Sequence, residues 1–253
     1  MTTSANVLPL ASSDESQLRI DLAAALRLAA YYDWHEGVAN HFSAAVSPDG
    51  KKFLMNPRWK HFSRARASEL LLIDADDPET MNRPDAPDPS AWSIHGAIHR
   101  RVPHARVALH LHPPHATALA GLKDPSIKPI DQTTARFFNR LAMDMSFGGI
   151  ANDEAEGERI AASIGNYSNV MMANHGVTTV ARTVAEAFDA MYHLERAART
   201  MVLAYSTGQP LNVMSDDLAE SVAREWEVYK DAEFSHFEEM KNVLDRENPG
   251  YAD

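Results

Sequence analysis

Three histidines at the ends of two apolar runs are the residues of this sequence with the clearest potential for chemistry. His110 and His112 close the run RVALHLH, and His175 closes the later run NVMMANH. Side chains alternate along a strand, so His110 and His112 point to the same face and can converge. Three imidazoles with an open fourth position are typical of a catalytic zinc site, and manganese or cobalt also fits such ligands.

Chance His-x-His spacing is the competing explanation, because the chain carries 12 histidines. Position favours a metal site, since an apolar strand seldom places two imidazoles on one face unless something compensates for their burial. The sequence has no cysteine, which excludes thiolate ligands, disulfides and a cysteine nucleophile. A bound metal must therefore be held by His, Asp, Glu or water.

Polar residues near the histidines in sequence are candidates for catalysis. In the segment PIDQTTARF, Asp131, Gln132 and Arg136 follow the histidine pair, and an arginine there could clamp a substrate carboxylate through two hydrogen bonds. A solvated helix start is the alternative role for this segment. His95 and His99 lie one helical turn apart and could face the site or support the metal ligands from behind.

Composition and charge limit the class of protein. The chain has 253 residues, of which 45% are hydrophobic and 23% are charged, as expected for one globular core. The formal net charge of -11 and the lack of a long Lys/Arg run argue against nucleic acid as a partner. No apolar stretch approaches the roughly 20 residues that span a bilayer. The first residues lack the pattern of a secretion signal, so we expect a cytoplasmic protein without a membrane partner.

The N-terminal third predicts a helix followed by short strands. Residues 1–11 predict a flexible arm, and Ser12 with Glu15 predicts a capping box for a helix over residues 18–34. The runs HFSAAVS and KKFLMNP flank Pro-Asp-Gly turn chemistry and predict a β-hairpin. LLLID, at residues 70–74, predicts another strand, and residues 76–90 read as a loop.

The rest of the chain alternates strands and helices, which predicts an α/β domain over residues 12–253. Ser90 predicts the cap of a helix over 91–101, and the strand RVALHLH should end at the following prolines. NVMMANHG predicts one further strand. Thr183 predicts the start of a long helix that ends near Gly208, and a final amphipathic helix is expected over 216–244.

Several segments together resemble the class II aldolase/adducin family, which comprises zinc-type aldolases, decarboxylases, dehydratases and the adducin head domain. They are GVANHFSAAVS, FLMNP, WSIHGAIHRRVPHARVALHLH, NHGV and TVAEAFDAMYHLERAA, in the order and at the spacing of that family. The resemblance implies that His110, His112 and His175 are the metal ligands. It also implies a three-layer α/β/α fold with a central, mainly antiparallel or mixed sheet.

Two departures from the family pattern bear on the substrate and the reaction. Ala91 stands where the sugar-phosphate aldolases carry an acid/base glutamate. Of the family's phosphate-binding residues Asn40 and Ser43 remain, whereas Ala45 replaces an arginine. The phosphate loop is replaced by MNPRWKH, in which Arg58 and Lys60 could instead receive a carboxylate. The chain therefore looks closer to the adducin-like and decarboxylase-like branch, with a non-phosphorylated substrate.

The resemblance also implies a homotetramer or a larger homo-oligomer. Family members often complete the active site with the C-terminal segment of a neighbouring subunit, which draws attention to Tyr229, His236 and Tyr251. Core packing or surface exposure is the alternative role for each of these three residues.

These observations lead to one expected function and two alternatives. We expect a metal-dependent carbon-carbon lyase, a decarboxylase or aldolase, that acts on a small hydroxy or oxo acid. Decarboxylation suits Ala91 because it needs an electron sink but no base to begin bond cleavage. The first alternative is a non-catalytic adducin-like module for assembly or binding. The second is a metal-dependent dehydratase or epimerase that shares the ligands and differs in its acid/base residues.

Overall fold

A computed structural model describes residues 15–150, 153–229 and 231–253. Within these ranges seven strands form one sheet: β1 (His41–Ala45), β2 (Lys52–Met55), β3 (Leu71–Asp74), β4 (Val107–Leu111), β5 (Leu141–Asp144), β6 (Asn169–Met172) and β7 (Gly176–Ala181). Their spatial order is β3-β2-β1-β4-β7-β6-β5. The β5/β6 pair is parallel and the other neighbouring pairs are antiparallel. This mixed sheet confirms the predicted α/β fold.

Helices cover both faces of the sheet. In the described residues they are α1 (Glu15–Tyr31), α2 (Pro89–Arg101), α3 (Pro114–Ala120), α4 (Gln132–Ala135), α5 (Glu154–Ile164), α6 (Val184–Ser206), α7 (Asp216–Glu227) and α8 (Ala232–Glu247). Val107, Leu109 and Leu111 of β4 pack in one apolar cluster with α1, α3, α6 and α8. Ala108 of the same strand packs in a second cluster with α2 and α5. This alternation gives the three layers that were expected.

Local signals in the sequence placed several elements correctly. The hairpin of β1 and β2 and the strand β3 form as predicted. Thr183 caps α6 through a capping box with Glu186, and Gly208 follows the end of that helix with a φ of 66°. These features depend on neighbours in sequence, which is why sequence alone reveals them.

Two predicted helix boundaries were wrong. Asp88, and not Ser90, caps α2, because its side chain accepts a hydrogen bond from the backbone N–H of Ser90 while Pro89 occupies the first helical position. The single helix expected over 216–244 is two helices, and Asp231 between them has a φ of 61°. A non-glycine residue in that conformation interrupts the helical path of the chain.

The run NVMMANHG was also predicted incorrectly as one strand. It forms β6 and then a tight turn, in which Asn174 has a φ of 57°, before β7 returns antiparallel to β6. Strand β7 was not predicted, although Val177 and Val180 are fully buried. The parallel strand β5 and the helix α5 were not predicted either, whereas α4 begins in PIDQTTARF, for which a helix start was the alternative role.

The predicted arm over residues 1–11 and the Ser12 cap lie outside the described residues. The domain boundaries 12–253 therefore stay a prediction. Among the described helices, none has both the length and the apolar character that a membrane crossing requires.

Candidate metal centre

Two neighbouring strands bring three histidines together at one end of the sheet. His110 lies in β4, and His112 follows one residue after that strand ends. His175 lies in the turn between β6 and β7. Because β7 pairs with β4, with His110 opposite Thr178, the turn that carries His175 lies beside the end of β4. We call His110, His112 and His175 the β4 metal centre.

The spacing of these imidazoles fits a divalent cation. The Nε2 atoms of His110 and His112 are 3.2 Å apart. The ring centroid of His175 is 4.7 Å from that of His110 and 5.0 Å from that of His112. One ligand nitrogen from each residue lies within 4.8 Å of the others. Tetrahedral zinc with bonds of about 2.0 Å separates its ligand atoms by about 3.3 Å, so the ligands need only small adjustments.

Hydrogen bonds on the far side of two rings leave their Nε2 atoms facing the centre. His110 Nδ1 lies 3.1 Å from the hydroxyl of Thr178, and His112 Nδ1 lies 2.7 Å from Glu36 Oε2. Partners of this kind set the tautomer and orientation of metal-binding histidines. Burial lowers the pKa of His110 well below its usual range. Burial and the nearby His112 lower the pKa of His175 to about 4. Neutral imidazole is the form that binds a metal.

Glu36 is a functional candidate that the sequence analysis did not identify. It lies in the loop before β1, and its backbone N–H donates to Asn40 Oδ1 at 2.9 Å. Asn40 itself has a φ of 73°, a conformation that asparagine tolerates better than most residues. The only signal in sequence was an acidic residue close to Asn40, and nothing local connected it to His112. The contact depends on the position of β1 beside β4.

Removing the Glu36 carboxylate is expected to weaken metal binding. Glu36→Ala should lower zinc affinity about 10- to 100-fold, because His112 loses the partner that orients its ring and increases its basicity. Glu36→Gln keeps a hydrogen-bond acceptor and should lose less. Competition with a chromophoric chelator measures the affinities, with Glu225→Gln, on the exposed surface of α7, as the matched control. Equal affinity of Glu36→Ala and the native protein would contradict this role.

A chain of buried polar side chains lies behind the β4 metal centre. The ring of His41 stacks on that of His110 with centroids 4.9 Å apart, and its Nδ1 lies 2.8 Å from His95 Nε2. The Ser43 hydroxyl is 2.5 Å from His95 Nδ1 and 2.8 Å from His99 Nε2. All five side chains are buried. Burial lowers the pKa of both His95 and His99 to about 3.

This arrangement contradicts the predicted substrate-binding role of Ser43 and favours one of the two predicted roles of His95. Ser43 was predicted to bind substrate, but its side chain is fully buried and is hydrogen-bonded to two imidazoles, so it cannot contact a ligand in this conformation. His95 was predicted to act at the site or to support it. It contacts His41, which in turn stacks on His110, and this placement favours a supporting role.

The predicted catalytic residues of PIDQTTARF contact a different part of the chain. Asp131 caps α4 by accepting a hydrogen bond from the Thr134 backbone N–H at 2.7 Å. The carbonyl of Gln132 accepts from the Trp226 indole, and Arg136 donates to Asp189 at 2.7 Å. These contacts tie the segment to α6 and α7 and not to the three histidines. Catalytic roles for Asp131, Gln132 and Arg136 stay predictions.

The predicted substrate-binding residues differ in whether their polar groups already have partners within the protein. Lys60 forms a salt bridge with Glu69, which neutralises its charge. The Arg58 guanidinium lies 4.8 Å from the ring centroid of the exposed Trp59. Asn40 is buried, and among the described residues its Nδ2 has no hydrogen-bond partner. Ala91 packs in an apolar cluster at the start of α2, so its position supplies no acid or base.

Comparison with known proteins identifies the family. Residues 20–202 match the family model described as the class II aldolase and adducin N-terminal domain. A Caulobacter vibrioides protein named "Putative aldolase class 2 protein" is 32% identical over 249 residues, which cover 96% of this chain and 94% of that protein. An aldolase II superfamily protein from Pseudomonas syringae has a solved structure that is similar with a TM-score of 0.85. It is 30% identical, and the match covers 96% of this chain and 97% of that one.

A more distant relative has a named activity. Decarboxylase NovR from Streptomyces niveus is 26% identical, and the match covers 72% of this chain and 67% of that protein. These relationships support an aldolase-like or lyase-like function, and the three converging histidines are consistent with a divalent metal. The match over residues 20–202 and the relative that is 32% identical over nearly the whole chain show that this protein belongs to the class II aldolase and adducin family.

Proposed function

We propose that this protein is a metal-dependent carbon-carbon lyase that decarboxylates or cleaves a small, non-phosphorylated hydroxy or oxo acid. The observation that carries the proposal is the convergence of the imidazoles of His110, His112 and His175, with two Nε2 atoms 3.2 Å apart. Zinc is the metal we expect, with manganese or cobalt as substitutes. The name of the NovR relative supports a decarboxylase.

The side chains around the histidines each have a role in the proposed reaction. A bound divalent metal would act as a Lewis acid towards a carbonyl oxygen of the substrate. His110, His112 and His175 would hold it, and Thr178 and Glu36 keep two of the rings in position. The Nδ2 of Asn40 is buried and has no hydrogen-bond partner among the described residues, and a shift of the loop before β1 would let it donate to a substrate oxygen.

The absence of a carboxylate at position 91 favours decarboxylation over aldol cleavage. Aldol cleavage begins when a base removes a hydroxyl proton, whereas loss of carbon dioxide needs no base in its first step. Ala91 is buried among apolar side chains that include Phe53 and Ile73, so no ionisable group occupies that position. Of the two proposed reactions, decarboxylation is therefore the one that this position favours.

Charge near β1 argues for a carboxylate substrate and against a phosphorylated one. Ala45 in β1 replaces the family's arginine, and Lys60 is neutralised by Glu69. Arg58 is the remaining cation that was predicted to bind substrate, and one arginine suits a carboxylate better than the doubly charged phosphate.

We also propose that the protein is located in the cytoplasm and that it forms a homotetramer or a larger homo-oligomer. If a neighbouring C-terminal segment completes the site, Tyr229 is the best placed of the three predicted residues, because its side chain is exposed. Tyr251 is buried in the main apolar cluster, and His236 lies against Asp189. We expect neither nucleic acid nor a membrane as a partner.

A substrate screen with matched variants tests the proposed reaction. Untagged protein loaded with zinc or manganese should release carbon dioxide or an aldehyde from at least one hydroxy or oxo acid. His175→Ala should lose this activity, and His104→Ala should retain it, because His104 lies outside the metal centre and contacts the Tyr167 carbonyl. Turnover of a sugar phosphate would contradict the substrate class. A well-folded protein that binds no metal and turns over none of these acids would support the adducin-like module instead.

A further inference from the structure

A second group of potential metal ligands lies between two helices, apart from the β4 metal centre. Asp189 and His193 are four residues apart on α6, so they share one face of that helix. His236 on α8 faces them. We propose that Asp189, His193 and His236 form a second divalent-metal site, which we call the α6/α8 site. This inference goes beyond the proposed function and does not depend on it.

The ligand atoms are already close to the spacing of a tetrahedral site. Asp189 Oδ1 lies 2.8 Å from His236 Nδ1 and 3.5 Å from His193 Nε2. All three ligand atoms lie within 4.8 Å of one another. Ligands of tetrahedral zinc are about 3.3 Å apart, so the two distances from Asp189 Oδ1 already lie within about half an ångström of that spacing, and the two imidazoles would move towards each other around a bound ion. Two imidazoles and one carboxylate, with water in the fourth position, suit zinc, cobalt or nickel.

The carboxylate of Asp189 lies between Arg136 on one side and the two imidazoles on the other. The two carboxylate oxygens have separate partners. Oδ2 accepts from Arg136 at 2.7 Å, whereas Oδ1 faces both imidazoles. Arg136 thereby orients the carboxylate and leaves Oδ1 to the ion.

Without a metal, one oxygen must serve two imidazole donors. The contact of Oδ1 with His193, at 3.5 Å, is longer than a good hydrogen bond. A metal ion would contact all three ligand atoms at once and replace the protons now shared between them.

Aromatic rings flank the two histidines of the α6/α8 site, whose side chains are 19% and 23% exposed. The ring of Tyr192 lies 4.6 Å from that of His236, and the ring of Phe188 lies 5.5 Å from it. The indole of Trp226 lies 5.2 Å from the His193 ring. An apolar surround of this kind strengthens coordination bonds. The metal would link the long helix α6 to α8, which begins just after Asp231, where a positive φ ends the helical path from α7. We therefore assign the site a stabilising role.

Metal stoichiometry tests the proposal directly. Untagged protein saturated with zinc and then freed of loosely bound ions should contain about two ions per chain by elemental analysis. His236→Gln and His110→Ala should each retain about one, and the double variant about none. The proposal is overturned if the native protein holds a single ion that His110→Ala removes and His236→Gln leaves in place. In that case the β4 metal centre, and with it the proposed function, still stands.

A thermal measurement distinguishes the loss of a metal site from misfolding of the variants. In His110→Ala only the α6/α8 site remains, so zinc should raise the melting temperature of this variant. The same addition should not raise that of His110→Ala/His236→Gln. A zinc-independent melting temperature in His110→Ala would overturn the α6/α8 site. If His236→Gln removed the only ion that the native protein binds, the α6/α8 site would stand and the metal centre of the proposed function would fail.

Discussion

His110→Ala is expected to lower the zinc affinity of the β4 metal centre by more than about 100-fold, since losing even an orienting partner of a ligand costs about 10- to 100-fold. His110 is the central ligand in the geometry of this site. Its Nε2 lies 3.2 Å from that of His112, and its ring is 4.7 Å from that of His175. Chelator competition on the His236→Gln background isolates this site from the α6/α8 site.

Two controls are needed to interpret the result for His110→Ala. His104→Ala, which removes a histidine outside both sites, should bind zinc as the parent protein does. Because His110→Ala removes a ring that is buried against His41, circular dichroism is needed to show that the variant keeps its secondary structure. A folded His110→Ala variant with unchanged affinity would show that the three histidines do not act together as metal ligands.

Mild acid is expected to destabilise the metal-free protein through its buried histidines. Burial lowers the pKa of His95 and His99 to about 3, from the usual value of 6.5 for a histidine in water. The unfolded chain therefore binds more protons than the folded chain when the pH falls below about 6.5. Between pH 7.5 and pH 5.5 each of these residues should lower the free energy of unfolding by roughly 1.4 kcal/mol, and the loss should continue towards pH 3.

Denaturant unfolding at the two pH values measures this effect. His99→Gln cannot titrate, so its free energy of unfolding should depend less on pH than that of the native protein, by roughly 1.4 kcal/mol. Each variant is compared with itself at the two pH values, so a constant loss from altered packing against Phe53 cancels. His104→Gln, at a site near the surface, is the matched control for the same substitution elsewhere in the chain. If His99→Gln keeps the native pH dependence, the pKa of His99 is the same in the folded and unfolded protein, and burial does not lower it.

Tertiary packing determined which polar residues are accessible, and the sequence could not predict this. Ser43 and His95 have the residue types of a binding site, yet both lie in a fully buried hydrogen-bonded chain between β1 and α2. Glu36 has no local feature that distinguishes it from other surface acids, yet it contacts His112. Burial and contact partners depend on how sheet and helices pack, and residues far apart in sequence set them.

The sequence alone determined the features that arise from local periodicity. His110 and His112 share a face because side chains alternate along a strand, and Thr183 starts α6 because a capping box needs only four consecutive residues. Only the tertiary structure placed His175 beside that pair, through the pairing of β7 with β4, and His236 beside Asp189, through the packing of α8 on α6. Strand order and helix docking are decided by the burial of apolar surface over the whole chain, which no local pattern encodes.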